Sequence, residues 1–337
     1  MRFSGAFLCI VLQIDIVENI KYRLYDKPIV IDNWRKDETY EGIYPKGARD
    51  KSAFFSPETV DENYLKGNYR YLFKLSRSWC PWQFWGEIIA YRLGLIMGIK
   101  VPPAHIGLSN NYNPEKTTYG ALIEWFYNDK KDLYIEGGQL MVGIIKGYDR
   151  QKGAQHNFLS IPYFTKNFSE HWAGVFTLDC LTGNTDRHQD NWGLIFKGAK
   201  GNNLQKDLLV FSPAFDNGTA LGYEIIEKNI DKYQDEKLLE KYLTNPRYAR
   251  HHMKWSLEEQ EDINFYEFMK KFVLEFKESK DIIIKLLGFN RQQVEDVMNP
   301  LIDAVSDDKY GLSRKRLQFI IKLIFERKEL LEQALDI

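Results

Sequence analysis

Residues 183–192 read GNTDRHQDNW, and residues 208–218 read LLVFSPAFDNG. In the first stretch, Asp186 is followed by four residues and then by Asn191, in a loop that leaves a predicted helix and enters a predicted strand. A carboxylate in such a loop can orient the proton of an attacking hydroxyl group, and an amide oxygen five residues later can bind Mg²⁺. Taken alone, an Asp-x4-Asn pair also arises by chance.

The second stretch is a predicted strand that runs into Asp216, Asn217 and Gly218. An Asp at the end of a strand, followed by a permissive glycine, can bind a Mg²⁺ that bridges the phosphates of ATP. Asp-Asn-Gly on its own is more typical of a plain β-turn. Because Asp216 comes 25 positions after Asn191, we interpret it as a metal ligand. Protein kinases place an Asp-x4-Asn catalytic loop before a metal-binding Asp in this order.

Upstream, a lysine and a glutamate precede the loop in the order that kinases use. Residues 69–75 (YRYLFKL) are predicted to form a strand with Lys74 near its end. Residues 82–97 are predicted to form a helix that carries Glu87 and ends at Gly98. In kinases such a pair holds the lysine against the α- and β-phosphates. Seen alone, either residue would be interpreted as a solvated surface charge.

Residues 42–52, GIYPKGARDKS, form a candidate phosphate-binding loop before Lys74. Backbone amides and the side chains of Lys46, Arg49 or Lys51 could supply positive charge to phosphate groups. The stretch matches neither GxGxxG nor the P-loop pattern, so a surface hairpin remains an alternative.

The rest of the chain divides into a β-rich first part and a mostly helical second part. Residues 120–126 (GALIEWF) are predicted to form a strand, whereas residues 168–181 and most of 256–337 are predicted to be helical. The pattern therefore predicts an α+β, two-lobed, protein-kinase-like fold. The β-rich N-lobe would span residues 1–126 and the helical C-lobe residues 127–337.

Composition excludes several classes of function. The 337 residues carry a net charge of −1, which argues against direct binding of nucleic acid. Three widely spaced cysteines (Cys9, Cys80, Cys180) form no CxxC pair, which argues against a disulfide scaffold or structural zinc and favours a reducing cytoplasm. The apolar stretch 7–16 is too short to span a membrane and has no clear cleavage site. We therefore predict a cytoplasmic protein without membrane association.

These segments resemble the HipA-like kinases, a family that includes the toxin kinases of bacterial toxin–antitoxin systems. The resemblance rests on YPKGARDK, YLFKL, GIKVPPAHIG, TGNTDRHQDNWG and SPAFDNGTALG, which follow one another in matching order over about residues 40–225. It implies a serine/threonine-protein kinase that uses ATP and Mg²⁺, with a protein as substrate and a small antitoxin protein as partner. The short stretch before residue 40 indicates the short form of the family, without the extra N-terminal subdomain of longer members.

The resemblance also implies roles for residues of the second lobe. Asp186 would be the catalytic Asp, and Asn191 and Asp216 would be the magnesium ligands. His188 would assist catalysis by helping to hold the loop, with simple loop packing as the alternative. Asp179, before the loop, would brace the structure.

The nucleotide-binding residues implied by the resemblance come from the first lobe. Glu124 and Phe126 would approximate the hinge beside adenine. Ser52 lies where some relatives are controlled by phosphorylation. The remaining set would lie near the phosphates: Lys74, Glu87, Gly47, Arg49 and Lys51.

Two alternative functions remain open. The same nucleotide-binding residues would suit a kinase that acts on a small molecule or a lipid, because nucleotide handling does not define the acceptor. A pseudokinase that binds a partner without phosphoryl transfer is the second alternative. The joint presence of Lys74, Asp186, Asn191 and Asp216 argues against the pseudokinase.

A basic cluster surrounds Tyr248 and Trp255 in the second lobe. It could bind an acidic substrate, a tRNA-bound partner or an activation segment, although a solvated face with aromatic anchors is the simpler interpretation. Its members are Arg247, Arg250, His251, His252 and Lys254.

Overall fold

A computed structural model describes residues 24–40, 49–61, 63–113, 116–162, 168–199, 209–259 and 261–337. The chain divides into two compact units. The first comprises Met1–Trp125 and Phe289–Ser313, and the second comprises Phe126–Gly288 and Arg314–Ile337. The first unit holds a six-stranded sheet and the second is mostly helical, so the predicted α+β fold class is confirmed. The apolar stretch 7–16 lies outside the described residues.

The described residues form nine strands and eight α-helices. Short 3-10 segments lie at Glu227–Gln234 and Asn299–Leu301. In chain order the strands and helices are β1 (Ile29–Val30), β2 (Arg35–Lys36), β3 (Lys51–Phe55), β4 (Arg70–Lys74), α1 (Trp85–Met97), β5 (Ala104–Ser109), β6 (Thr118–Glu124), β7 (Leu133–Glu136), α2 (Gly137–Ile144), α3 (Ser169–Thr182), β8 (Gly193–Phe196), β9 (Leu209–Phe211), α4 (Glu236–Thr244), α5 (Phe265–Glu275), α6 (Ser279–Leu286), α7 (Arg291–Met298) and α8 (Arg314–Leu335).

Strand β4 lies inside the first sheet, and the alternation of its side chains places Lys74. The strand order is β1-β5-β6-β4-β3-β2, with antiparallel neighbours except for the parallel pair β1–β5. Successive side chains of a strand point to opposite faces. Tyr71 and Phe73 therefore enter an apolar core with Leu122 of β6, and Lys74 points to the opposite face of the sheet.

Helix α1 is buried along most of its length and on several sides. Ile88 and Tyr91 are buried, as is Phe84 just before the helix. The helix ends at Gly98, whose φ of +75° is the left-handed conformation that glycine adopts without a steric penalty. This end is the one that the sequence predicted.

Two buried polar anchors join α1 to a segment from near the end of the chain. The guanidinium of Arg92 donates to the carbonyl oxygen of Val297 in α7. The indole N–H of Trp85 donates to the carbonyl oxygen of Tyr310 at 2.8 Å. These contacts explain why Phe289–Ser313 belongs to the first unit, whereas the sequence had assigned this segment to the helical second lobe.

Helix α3 forms the centre of the second unit. Every residue from Trp172 to Thr182 is buried, as expected for a helix packed on all sides. It contacts α5, α6 and α8. The ring of Phe176 lies 4.9 Å from that of Phe268 and 5.4 Å from those of Phe158 and Phe272, centroid to centroid. Strands β7, β8 and β9 form a three-stranded antiparallel sheet in the same unit.

Two of the three cysteines lie in the described part of the chain. Cys80 and Cys180 are buried and form no disulfide among the described residues. Burial raises the pKa of Cys180 to about 12. Within the part of the chain that the structure describes, no helix is both long enough and apolar enough to cross a membrane.

Gly183 ends α3 and starts the loop that contains Asp186. Its φ is +66°, and a Cβ at this position would lie 2.3 Å from Nη2 of Arg327 in α8. An L-residue other than glycine would therefore meet both a backbone penalty and a buried side chain.

We expect Gly183→Ala to destabilise the protein by at least about 1–2 kcal/mol, the cost of the left-handed conformation alone. Gly143→Ala is the matched control, because Gly143 is helical, exposed and has nothing within 4 Å of its ideal Cβ. That control should gain up to about 1 kcal/mol from helix propensity. Urea denaturation of both variants checks the pair, and equal stability of Gly183→Ala and wild type would contradict the expectation.

Candidate active site

The loop after α3 holds Asp186 by its backbone. The N–H of Asp186 donates to Oδ1 of Asn184 (3.1 Å), and its carbonyl oxygen accepts from the N–H of His188 (2.7 Å) and from Nδ2 of Asn191 (2.8 Å). The side chain is half-buried. No donor from the described residues reaches its carboxylate. A carboxylate on so fixed a backbone is suited to accept or orient the proton of a hydroxyl group.

The amide of Asn191 is oriented by the same contact. Because Nδ2 donates to the carbonyl oxygen of Asp186, Oδ1 is the atom left to act as an acceptor. The backbone N–H of Asn191 donates to the carbonyl oxygen of His188 at 2.9 Å, and the residue is 5 % exposed. An amide oxygen held in this way is an appropriate ligand for Mg²⁺.

Arg187 joins the parts of this region, and all five of its N–H donors are used. Nε and Nη2 donate to the two carboxylate oxygens of Asp179, at 3.0 and 2.7 Å. Nη2 also donates to Oδ1 of Asn217 at 2.8 Å. Nη1 donates to the carbonyl oxygen of Asn191 at 3.2 Å and to that of Phe215. One buried side chain thus connects α3, the 183–192 loop and the Asp-Asn-Gly segment.

The sequence did not single out Arg187, although it assigned a bracing role to its partner Asp179. Both residues are almost completely buried. Burial raises the pKa of Asp179, and the guanidinium of Arg187 acts against this shift. In the sequence, Arg187 lies in the polar run DRHQD, which is indistinguishable from a solvated loop. A charged residue of this kind is recognised only from its burial.

Asp216 lies between two residues that Arg187 binds. Its φ is +58°, a left-handed conformation that Asp tolerates better than most residues. The carbonyl oxygen of Phe215 and the side chain of Asn217 both accept from Arg187, and Nδ2 of Asn217 donates to the carbonyl oxygen of Ala214 at 2.9 Å. A sparsely populated backbone conformation that its neighbours hold in place points to a functional position.

His188 supports the loop from within. Its Nδ1 accepts from the N–H of Asp190 at 3.2 Å, and its ring meets that of His252 edge to face at 5.9 Å between centroids. His156, which accepts from Nε1 of Trp192 at 3.0 Å, lies beside His252. Burial lowers the pKa of both His156 and His252. These contacts are those of loop packing, and a catalytic role for His188 stays a prediction.

The basic cluster around Tyr248 and Trp255 is not a continuous charged face. His251 is buried among aromatic rings, including that of Phe268 at 4.6 Å, and burial lowers its pKa to about 3. It is therefore neutral at physiological pH. Arg250 pairs with Asp262, and Nζ of Lys254 donates to the carbonyl oxygen of Glu259 at 3.3 Å.

In the first unit, the structure brings Lys74 and Glu87 together. Nζ of Lys74 lies 2.9 Å from Oε1 of Glu87, and Nη2 of Arg49 lies 2.8 Å from the same oxygen. All three side chains are buried. Lys51 lies directly across the ladder from Lys74, since β3 and β4 pair in that register. Gly47, with Lys46, lies outside the described residues.

The remaining predicted residues have structural contacts of their own. Oε1 of Glu124, the last residue of β6, accepts from Nζ of Lys66 at 2.6 Å, so its carboxylate is engaged in an ion pair. The ring of Phe126 stacks on that of Phe215 at 4.9 Å. Ser52 is 4 % exposed in β3, which leaves its hydroxyl little access to a second kinase. A role beside adenine for Glu124 and Phe126 stays a prediction.

Asn191 and Asp216 are the candidate ligands for Mg²⁺. Among the described residues, no three His, Cys, Asp or Glu side chains cluster as a group that could hold a metal ion. Asn191 and Asp216 would provide one amide oxygen and one carboxylate. Such a small oxygen set is what Mg²⁺ takes from a protein when phosphates and water supply its other ligands, so these residues fit that ion.

No family model matches the sequence, and no curated protein matches it. Among solved structures, the chain is similar to the proinflammatory kinase CtkA of Helicobacter pylori, with a TM-score of 0.69 and 17 % identity over 92 % of this chain and 98 % of that one.

A second solved structure is the complex of HipA, HipB and operator DNA from a toxin–antitoxin system of Shewanella oneidensis MR-1. Here the TM-score is 0.47 and the identity 12 %, over 89 % of this chain and 71 % of the matched one. The match to CtkA shows a shared fold across almost the whole of both chains. The kinase-like fold predicted from the sequence is therefore confirmed.

Proposed function

We propose that this protein is a HipA-like serine/threonine-protein kinase that transfers the γ-phosphoryl group of ATP. The observation that carries the proposal is the Arg187 network. Arg187 donates to the carbonyl oxygen of Phe215 and to the side chain of Asn217, on either side of Asp216, and to the carbonyl oxygen of Asn191. The side chain of Asn191 in turn donates to the carbonyl oxygen of Asp186. The three residues that phosphoryl transfer requires are therefore tied to one buried side chain, within a fold that the kinase CtkA shares.

The chain's own residues would act through position and charge. Asp186 would accept or orient the proton of the attacking hydroxyl, with its backbone held by Asn184 and Asn191. Lys74, paired with Glu87, would bind phosphate oxygens of the nucleotide. Oδ1 of Asn191 and the carboxylate of Asp216 would hold Mg²⁺, which when bound supplies neutralisation of the charge on the phosphates. Phosphoryl transfer depends chiefly on such positioning and electrostatic stabilisation.

The proposal also includes the acceptor, the partner and the cellular location. A protein Ser or Thr as acceptor, and a small antitoxin protein as partner, rest on the family resemblance of the sequence. The cytoplasmic location rests on the sparse cysteines. A small-molecule or lipid kinase would use the same residues, because the fold does not define the acceptor.

We expect Asp186→Asn and Asp216→Asn each to lower phosphoryl transfer by at least about 100-fold, because each removes a charge that the reaction uses. The measurement is the incubation of purified protein with γ-labelled ATP and Mg²⁺, with and without a cell lysate. Asp281→Asn serves as the control, since Asp281 is an exposed helix residue of the second unit.

The outcomes separate the alternatives. Label that appears on a protein with wild type and with Asp281→Asn, and is lost in both site variants, supports a protein kinase. Measurable ATP binding without label on any protein favours the small-molecule kinase or the pseudokinase. Transfer at the wild-type level by Asp216→Asn would refute the metal-ligand role.

We expect Arg187→Met to destabilise the protein by about 3–5 kcal/mol, because it leaves the carboxylate of Asp179 buried without its partner. Adding Asp179→Leu should recover much of this loss, since a buried pair replaced by apolar residues is often neutral for stability. Urea denaturation measures both effects.

Phosphoryl transfer should remain low in the double variant even where stability returns. The carbonyl oxygens of Asn191 and Phe215 and the amide of Asn217 would still lack their donor. Activity restored together with stability would show instead that Arg187 serves only to neutralise Asp179.

A further inference from the structure

A cavity of about 600 Å³ lies in the first unit, at the end of the sheet where β4 finishes. Its walls come from four places in the chain: residues 49–50 before β3, residues 75–79 after β4, four residues near the ends of β5 and β6 (Tyr112, Asn113, Lys116, Thr118), and Lys309 with Tyr310. Four basic side chains line it against a single carboxylate, that of Asp50. The basic residues are Arg49, Arg77, Lys116 and Lys309.

The charge of this lining is unbalanced. Among the described residues, Arg77, Lys116 and Lys309 make no ion pair, and Lys309 only stacks its ammonium over the ring of Tyr310 at 5.0 Å. Lys116 and Lys309 are exposed at the rim and Arg77 is half-buried. Like charges around one cavity repel each other. An anion in the cavity would relieve that repulsion, so the lining favours an anionic ligand.

The hydrogen-bond donors in the wall indicate which class of anion fits the cavity. The guanidinium of Arg77 can bind two oxygens at once, as arginine does with carboxylates and phosphates. Ser76 accepts through Oγ from the N–H of Phe84 at 2.9 Å, which leaves its hydroxyl proton for another acceptor. Ser78, which is exposed, also lines the cavity, whereas the hydroxyl of Thr118 donates to the carbonyl oxygen of Lys116 at 3.3 Å. A phosphate monoester, with nearly two negative charges and three acceptor oxygens, matches several cations and hydroxyls better than a carboxylate does.

The cavity is larger than a bare phosphate needs. It also has aromatic side chains in its wall. Trp79, Tyr112 and Tyr310 line it, and Trp79 is 50 % exposed. An exposed aromatic ring beside cations suits a phosphate that is attached to a larger group. We propose that this cavity binds a phosphate monoester, carried either by a phosphorylated side chain or by a nucleotide.

One contact connects the cavity to Glu87, and a second connects it to the start of the helix that carries Glu87. Arg49, in the cavity wall, donates to Oε1 of Glu87, the oxygen that Lys74 also binds. Ser76, also in the wall, accepts from the residue that precedes helix α1. A ligand that engages Arg49 would therefore change the environment of the Lys74–Glu87 pair. If the proposed function holds, the ligand would change the affinity for ATP, and by linkage ATP would change the affinity for the ligand by the same factor.

The test uses the full chain and three probes: inorganic phosphate, AMP, and a pentapeptide Ala-Ala-pSer-Ala-Ala beside its unphosphorylated form. Calorimetric titration compares wild type with Arg77→Gln and Lys309→Gln. Lys100→Gln is the control, because Lys100 is an exposed lysine of the same unit that does not line the cavity. We expect each cavity variant to bind the phosphorylated probe about tenfold more weakly, and the control to match wild type.

The result also identifies the source of the phosphate. Tighter binding of the phosphopeptide assigns the cavity to a phosphorylated protein, and tighter binding of AMP assigns it to a nucleotide, provided that Arg77→Gln weakens the interaction. No binding of any phosphorylated probe, or equal binding by wild type and both cavity variants, would overturn the proposal.

A second titration tests the connection to Glu87. The affinity for Mg·ATP is measured with and without a saturating amount of the tighter probe. A shift of about fivefold or more in wild type that is absent in Arg77→Gln supports the connection, and an unchanged affinity overturns it. A chain that fails to bind ATP at all would overturn the proposed function, whereas the first titration would still test the cavity.

Discussion

The geometry of the candidate site depends on the buried ion pair between Arg187 and Asp179, whose atoms approach to 2.7 Å. Removal of two opposite charges from water is unfavourable, and their attraction compensates only when the remaining donors and acceptors are also satisfied. Arg187 meets this condition because all five of its N–H groups have acceptors. Three of those acceptors belong to the segments that contain Asn191 and Asp216. The desolvation cost of the pair is thereby offset by bonds that also set the geometry of the candidate site.

In the first unit, the Lys74–Glu87 pair is positioned by the sheet and by helix α1. The period of two in β4 directs Tyr71 and Phe73 into the core, so that Lys74 is left on the other face. Helix α1 places Glu87 beside Lys74. The helix itself is anchored by Trp85, which donates to the carbonyl oxygen of Tyr310 near the end of the chain. The Lys74–Glu87 pair therefore depends on strand alternation and on a distant anchor together. The cavity beside Arg49 adds positive charge to this same region.

The fold and the function are supported at different levels. The similarity to CtkA extends over nearly the whole chain, yet an identity of 17 % establishes the fold alone. The proposed nucleotide chemistry rests on Asp186, Asn191 and Asp216 and on the contacts that hold them. The acceptor hydroxyl would be chosen by surfaces outside these residues, because a fold does not define its substrate.

The features that could be predicted from the sequence are local. The stop at Gly98 and the strand that ends at Lys74 follow from patterns of a few residues, and so does the order of the loop around Asp186. The structure alone revealed the burial of Arg187 and His251 and the packing of Phe289–Ser313 against α1. It also gathered the basic cavity from four separate segments. These features depend on contacts between residues far apart in the chain, and such contacts leave no periodic trace in the sequence because each partner is chosen by the packing of the whole unit.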